Sequence, residues 1–207
     1  MYLDKPLHTY LDDLASGQPT PGGGSTAALN GAMGAGLVCM VARLTLGKKA
    51  YLDVQQEIEA LIQQAEALRS RFQNLIQADI EAYGHLSASF KLPKETAEEK
   101  AARSRAIQER LAEAAQVPLD VVESAATLML YCLRIAEIGN KNVLSDVATA
   151  AALASCAGTG GSYMVKINLD SLKDATLVHQ LSDRLQHALE RIATGNQQVL
   201  KVIGERA

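Results

Sequence analysis

The sequence predicts an all-α protein: one helical domain over residues 1–207, a bundle of long helices around two central ones rich in small residues. Three observations carry this. Apolar residues recur at three- and four-residue spacing through nearly the whole chain, the period of a helix with one buried face. Alternating β-branched residues occur only in the short run Met164-Val165-Lys166-Ile167. No low-complexity linker divides the chain.

Leu3, Leu7, Tyr10, Leu11 and Leu14 mark a short first helix, stopped by Gly17 and followed by a loop with Pro19 and Pro21. A second helix is expected over 25–46, ending near Gly47. Small residues recur along it as Gly24, Ala28, Ala32, Gly36 and as Ala27, Gly31, Ala35. Residues three or four apart share a face. Small side chains there let a neighbouring helix approach to about 8 Å. Each glycine costs a helix about 1 kcal/mol against alanine, so a cluster of them needs a packing or functional reason. Close packing is the simpler one.

A third helix is expected over 53–90, with the stripe Ile58, Ile62, Ala65, Leu68, Phe72, Ile76, Asp79, Tyr83, Leu86 and Phe90. This is close to a heptad seam, and Asp79 is the wrong residue for its core. A carboxylate on a buried face is costly unless it is paired or hydrogen-bonded. Both a structural and a functional role fit it. Residues 91–95 break the helix. Thr96 with Glu99 forms a capping box opening a charged helix to about 116. Its charges read as a solvated face or, less simply, 91–116 reads as a flap over a site. Pro118 suits the first turn of a separate helix running to 138. The turn 139–146 is polar, with Ser145 as the expected N-cap and Asp146 in the first turn, where a negative charge is favourable. The next helix repeats the small-residue texture through Ala148, Ala152, Cys156, Gly160 and Ala150, Ala154, Gly158. It is expected to pack against the second helix. The last helix, opened by Ser171 with Asp174, carries Leu177, Leu181, Leu185, Leu189 and Ile192.

Composition narrows the function. The chain is 48% hydrophobic but only 4% aromatic, without Trp, so Ala, Leu, Val and Ile must fill the core. A net charge of −3 and a pI near 5.8 argue against a nucleic-acid partner, which favours a basic face. Cys39, Cys132 and Cys156 form no CxxC pair and read as buried free thiols in a reducing cytoplasm. Residues 1–6 lack the apolar core of a signal peptide. The apolar run 26–42 contains Asn30 and three glycines and falls short of about 20 clean apolar residues. It reads as a buried helix, with no membrane partner.

Three glycines before a helix expose backbone N–H groups at a partly positive end suited to an anion or carbonyl. Gly22, Gly23, Gly24 and Ser25 are therefore candidate ligand-binding residues. No phosphate-loop pattern is present, and no strand precedes the turn as a dinucleotide fingerprint requires. The histidines His8, His85, His179 and His187 form no HExxH or ExxH pair, so no metal site is expected; His179 and His187 are placed on the surface. No nucleophile triad can be assembled from spacing. What remains is polar residues where helical cores should be dry: Ser25, Asn30, Asp79, Tyr83, Asn140, Asn142, Ser145 and Asp146. One carboxylate beside amides and hydroxyls suits a site that orients a polar heterocycle and moves protons.

Pro21-Gly22-Gly23-Gly24-Ser25-Thr26-Ala27-Ala28-Leu29, Asp79-x-x-x-Tyr83 and Gly139-Asn140-Lys141-Asn142-x-x-Ser145-Asp146 together resemble the cyclodeaminase/cyclohydrolase family. That family includes the C-terminal domain of formiminotransferase-cyclodeaminase and the free-standing methenyltetrahydrofolate cyclohydrolases. The resemblance covers nearly the whole chain, and the lack of a formiminotransferase region matches the free-standing type. It implies a cytoplasmic enzyme of tetrahydrofolate one-carbon metabolism, working without metal as a homodimer or larger assembly. Such enzymes open 5,10-methenyltetrahydrofolate with water to the 10-formyl compound, or close 5-formiminotetrahydrofolate with loss of ammonia. No residue decides between the two. A non-catalytic folate-binding module and a purely structural helical protein are the alternatives. The roles the resemblance implies are proton transfer or pterin holding for Asp79, and positioning or stacking for Tyr83. Backbone donors come from Gly22, Gly23, Gly24 and Ser25, and the opposite wall from Asn140, Asn142, Ser145 and Asp146.

Overall fold

The computed structural model describes residues 2–206. Six α-helices account for most of them: α1 (Leu7–Leu14), α2 (Gly23–Arg43), α3 (Gln55–Ser89), α4 (Ala97–Ile138), α5 (Leu144–Leu169) and α6 (Ala175–Arg206). Short 3-10 turns precede α1, α3 and α5, and no strand occurs among the described residues.

The helices form two layers. α2 and α5 make one, and α3, α4 and α6 the other, with α4 central and touching α2, α3, α5 and α6. The small-residue helices pack together, as their texture predicts. A Cβ added at Gly34 of α2 would sit 3.0 Å from Leu128 Cδ2 and 3.2 Å from the Ala150 carbonyl of α5. At Gly161 of α5 it would meet Val122 Cγ2 at 2.8 Å. Gly31 lies under the ring of Phe72, which is wholly buried. Large side chains from α3 and α4 thus fill notches left by small residues on α2 and α5. α2 and α5 run antiparallel: Gly23, at the start of α2, abuts Met164 near the end of α5. The end of α2 meets the turn that opens α5, where Asn140 Nδ2 donates to the Leu44 carbonyl at 3.2 Å.

The structure corrects several sequence expectations. α4 is one continuous helix of 42 residues with Pro118 inside it, not two helices. Proline supplies no N–H, so the Ala114 carbonyl one turn back loses its helical partner. Asn168 of α5 repairs the loss, its Nδ2 donating to Ala114 O at 2.9 Å and to Met164 O at 2.8 Å. Segment 97–116 is therefore the first half of a regular helix. Its Leu111 and Ala114 pack with Leu86 in a small core of their own, which argues against a flap. Val143, not Ser145, precedes α5, and Asp174 rather than Ser171 caps α6, its Oδ1 accepting from the Leu177 N–H at 3.0 Å. Cys39 and Cys132 are buried, and burial raises their thiols to about 11 and about 12, so both stay protonated at neutral pH. Cys156 is exposed, against expectation. Asn30 lies half-buried on the open side of α2, away from the core.

Candidate active site at the start of α2

The glycine turn is built before it is used. The Thr20–Pro21 peptide is cis, and Gly22 is extended (φ −136°, ψ −158°) as the N-cap of α2. Ser25 Oγ accepts from the Gly22 N–H at 3.2 Å and donates to the Gly22 carbonyl at 2.9 Å. Thr26 Oγ1 donates to the same carbonyl at 2.8 Å. The Tyr10 hydroxyl of α1 reaches Ser25 Oγ at 3.1 Å and Thr26 Oγ1 at 3.2 Å. These bonds place Ser25 as a scaffold of the turn, its hydroxyl already engaged. The N–H groups of Gly23 and Gly24 have no partner among the described residues and remain available to a ligand.

Asp79 arrives from α3. Its Oδ2 accepts the Ser25 N–H at 2.8 Å, so a residue 54 positions away caps α2. Gly24 makes the approach possible, because a Cβ there would overlap Asp79 Oδ1. Burial pushes the carboxyl above its ordinary 3.8; the Ser25 N–H pulls it down without cancelling the rise. A carboxylate tuned upward by desolvation is suited to hold and release a proton nearer neutral pH.

Asp79 and the glycine turn open onto a cleft of about 450 Å3 between the start of α2, the ends of α3 and α5, and the first half of α4. Tyr83, Phe90, Leu111 and Met164 give it an apolar wall, and Asn168 adds a polar group. Tyr83 is 43% exposed, and no hydrogen bond joins it to Asp79, so it faces the cleft without positioning the carboxylate. Asn168 is the site residue that sequence reasoning missed. Two carbonyls hold its amide nitrogen, which dictates the amide's orientation and leaves Oδ1 without a partner among the described residues. The signal lay in Pro118, whose place inside a helix implies an orphan carbonyl. No Lys or Arg lines the cleft.

Asn140, Asn142, Ser145 and Asp146 do not line this cleft. Asn140 donates its N–H to Thr45 Oγ1 at 2.9 Å, just beyond the end of α2, and its Oδ1 accepts the Asn142 N–H at 3.2 Å. α2 has 21 residues, which puts about 30 Å between the two polar turns at 1.5 Å per residue. The expected opposite wall is thus absent within one chain, because antiparallel packing of α2 and α5 sends their polar entry turns to opposite ends. Asn140 is engaged structurally. The side chains of Asn142, Ser145 and Asp146 make no hydrogen bond or ion pair among the described residues. No group of three or more His, Cys, Asp or Glu side chains able to hold a metal is gathered there either.

The chain is similar to known proteins over nearly its whole length. The chain is 36% identical over 197 residues to a methenyltetrahydrofolate cyclohydrolase of Methylorubrum extorquens, covering 95% of both. It is 33% identical over 192 residues to the pig formimidoyltransferase-cyclodeaminase, covering 93% of this chain and 36% of that one. The crystal structure of formiminotetrahydrofolate cyclodeaminase from Thermotoga maritima superposes with a TM-score of 0.90 at 31% identity, covering 99% of this chain and 98% of that one. The family model for formiminotransferase-cyclodeaminase matches residues 6–187, and the chain belongs to that family.

Proposed function

We propose that this protein hydrolyses 5,10-methenyltetrahydrofolate to 10-formyltetrahydrofolate, with residues 1–207 as one catalytic domain. The observation that carries this is the Asp79 carboxylate, raised by burial and held at the start of α2 beside two free glycine N–H groups. Water adds to the cationic carbon between N5 and N10, and its proton passes to Asp79. A tetrahedral carbon forms. The bond from that carbon to N5 then breaks, N5 takes a proton from Asp79, and the carbonyl of the 10-formyl group remains. The bridge's positive charge leaves as a proton to solvent, so the equation balances. The free N–H groups of Gly23 and Gly24 are placed to bind a ring carbonyl or a developing negative oxygen. The apolar wall with Tyr83 and Phe90 suits the flat face of a pterin.

The similarity to the Methylorubrum protein over nearly the full length of both chains supports hydrolysis. Cyclodeamination of 5-formiminotetrahydrofolate is the second reading, favoured by the likeness to the Thermotoga structure. Both reactions pass through a tetrahedral carbon between the same nitrogens. Side-by-side assays decide: loss of the methenyl absorbance marks hydrolysis, and release of ammonia marks deamination. Binding of the methenyl compound without turnover would leave a folate-binding module, and no binding would leave a structural protein. The reading includes no metal, no membrane and no nucleic acid. It places the enzyme in the cytoplasm, where the unpaired Cys39, Cys132 and Cys156 stay reduced. It also includes a homodimer or larger assembly.

A further inference from the structure

One peptide at the mouth of the cleft is held more firmly than helix capping requires. The Gly22 carbonyl accepts the Thr26 N–H at 3.0 Å, the first bond of α2. It also accepts the Ser25 hydroxyl at 2.9 Å and the Thr26 hydroxyl at 2.8 Å. A carbonyl oxygen has two lone pairs, and the helix needs only the first of these three donors. On its other side the Gly22 N–H is held by Ser25 Oγ at 3.2 Å. A glycine backbone is free to take many conformations, so these bonds set its direction.

Counting hydrogens identifies the donor that completes the set. Ser25 and Thr26 have one hydroxyl hydrogen each, and the short contacts to the Gly22 carbonyl use both. The Tyr10 hydroxyl lies 3.1 Å from Ser25 Oγ and 3.2 Å from Thr26 Oγ1, so Tyr10 donates, with its hydrogen shared between the two. Tyr10 is the buried residue of α1, 4% exposed. The Tyr2 ring packs edge-on against it at 5.3 Å, and the Tyr2 hydroxyl donates to Asp13 of α1 at 2.8 Å. α1 thus brings a fixed hydroxyl to the glycine turn.

A trans peptide is planar, with its N–H pointing opposite to its C=O. The Gly22–Gly23 bond is trans, so whatever holds the Gly22 carbonyl also aims the Gly23 N–H. Gly23 is exposed and lines the cleft, and its N–H has no partner among the described residues. We propose that Tyr10 is a positioning residue for the reaction. By donating to Ser25 and Thr26 it locks the Gly22–Gly23 peptide, and so aims the Gly23 N–H at the oxygen on the tetrahedral carbon. This rests on the folate reading of the cleft. Tyr10 lines no part of the cleft itself and acts through two hydroxyls and one carbonyl.

Steady-state kinetics of full-length variants with 5,10-methenyltetrahydrofolate test this, read as loss of the methenyl absorbance, with urea unfolding alongside. Tyr10→Phe removes the hydroxyl and keeps the ring. Its kcat should fall by about tenfold, since losing a well-aimed donor outright costs about 10²–10³-fold and misaiming one costs less. Its KM should stay within about twofold of wild type, the signature of an interaction made only in the transition state. Thr26→Val should show the same split. Thr26→Ser returns the hydroxyl and should bring kcat back to within about twofold of wild type. Tyr2→Phe breaks the tie to Asp13 and leaves the three hydroxyls at the turn in place, so its kcat should match wild type even if its stability falls. Three results would overturn the proposal: wild-type kcat in Tyr10→Phe, a raised KM with unchanged kcat, or an equal loss of kcat in Tyr2→Phe, which would mean a general loosening of α1. If Tyr10→Phe does not fold, the Thr26 pair decides by the same criteria. Failure of the folate reading looks different: wild-type protein then leaves the methenyl absorbance unchanged.

Discussion

Asp79 and Ser25 stand 54 residues apart in sequence, and the carboxylate of one accepts the backbone N–H of the other at 2.8 Å. That bond joins α3 to the start of α2 and fixes the one acidic side chain among the described residues that line the cleft. Asn in place of Asp79 keeps an oxygen for Ser25 but cannot take a proton. Asp79→Asn should fold normally and turn over about 10²–10⁴-fold more slowly, as measured by loss of the methenyl absorbance. Normal turnover would remove Asp79 from the mechanism.

The same carboxyl makes a prediction about stability. Its value in the folded protein lies above the ordinary 3.8 because burial disfavours the charged form. The folded state therefore binds this proton more tightly than the unfolded chain does. Between pH 3.8 and the raised value, stability falls as pH rises; above that window the cost stays constant. Asp79→Asn removes the cost, so the variant should resist urea better than wild type at pH 7. The gap should close below pH 3.8. A variant less stable than wild type at pH 7 would show that the Ser25 bond outweighs desolvation.

Two glycine substitutions should separate function from packing. A Cβ at Gly24 would overlap Asp79 Oδ1, and one at Gly31 would overlap the ring of Phe72. Gly24→Ala should displace the carboxylate and cost activity at least about tenfold, since a small misplacement of a catalytic group is expensive. Gly31→Ala should cost about 1–3 kcal/mol of stability through overpacking and leave kcat of the folded protein near wild type. Denaturation curves beside turnover assays distinguish the two patterns.

At the far end of α2, buried Thr45 Oγ1 accepts the Asn140 N–H at 2.9 Å and donates to the Val41 carbonyl at 2.8 Å. Thr45→Val keeps the shape and leaves the Asn140 N–H unpaired. It should cost about 1–3 kcal/mol, read by urea unfolding. A loss below about 0.5 kcal/mol would mean that water or a shifted turn replaces the hydroxyl.

Asn168 has two duties, and its variants should show both. Asn168→Leu strands the Ala114 carbonyl, which Pro118 leaves without a helical donor, and should cost about 1–3 kcal/mol. It also removes the unpartnered Oδ1 from the cleft, so KM should rise by more than kcat falls. A variant that is destabilised but keeps wild-type KM would confine Asn168 to its structural duty.

Periodicity made most of the fold legible. The small-residue rows of α2 and α5 announced two helices able to pack closely, and Gly34 against Ala150 realises it. Asp79 stood out because a carboxylate broke an apolar stripe. What periodicity does not encode is direction and continuity. Pro118 read as a helix start because proline usually begins helices, and the compensating donor lies 50 residues on, at Asn168. The 140–146 turn read as a wall of the same site because motifs carry no axial position. Only the antiparallel course of α2 and α5 shows that the turn sits at the other end.

The bridge from Asn168 to Ala114 has a mechanical consequence. Val122 of α4 already seats in the notch at Gly161 of α5, and a polar bridge adds a directional constraint to that fit. Asn168 pins α5 to α4 at one axial position, because the Ala114 carbonyl that Pro118 leaves free meets its replacement donor there. A slip of one turn would present carbonyls already taken by their own helix. The proline thus acts as a detent: it reinforces the offset between the two helices, and with it the distance from Met164 on one to Leu111 on the other across the cleft.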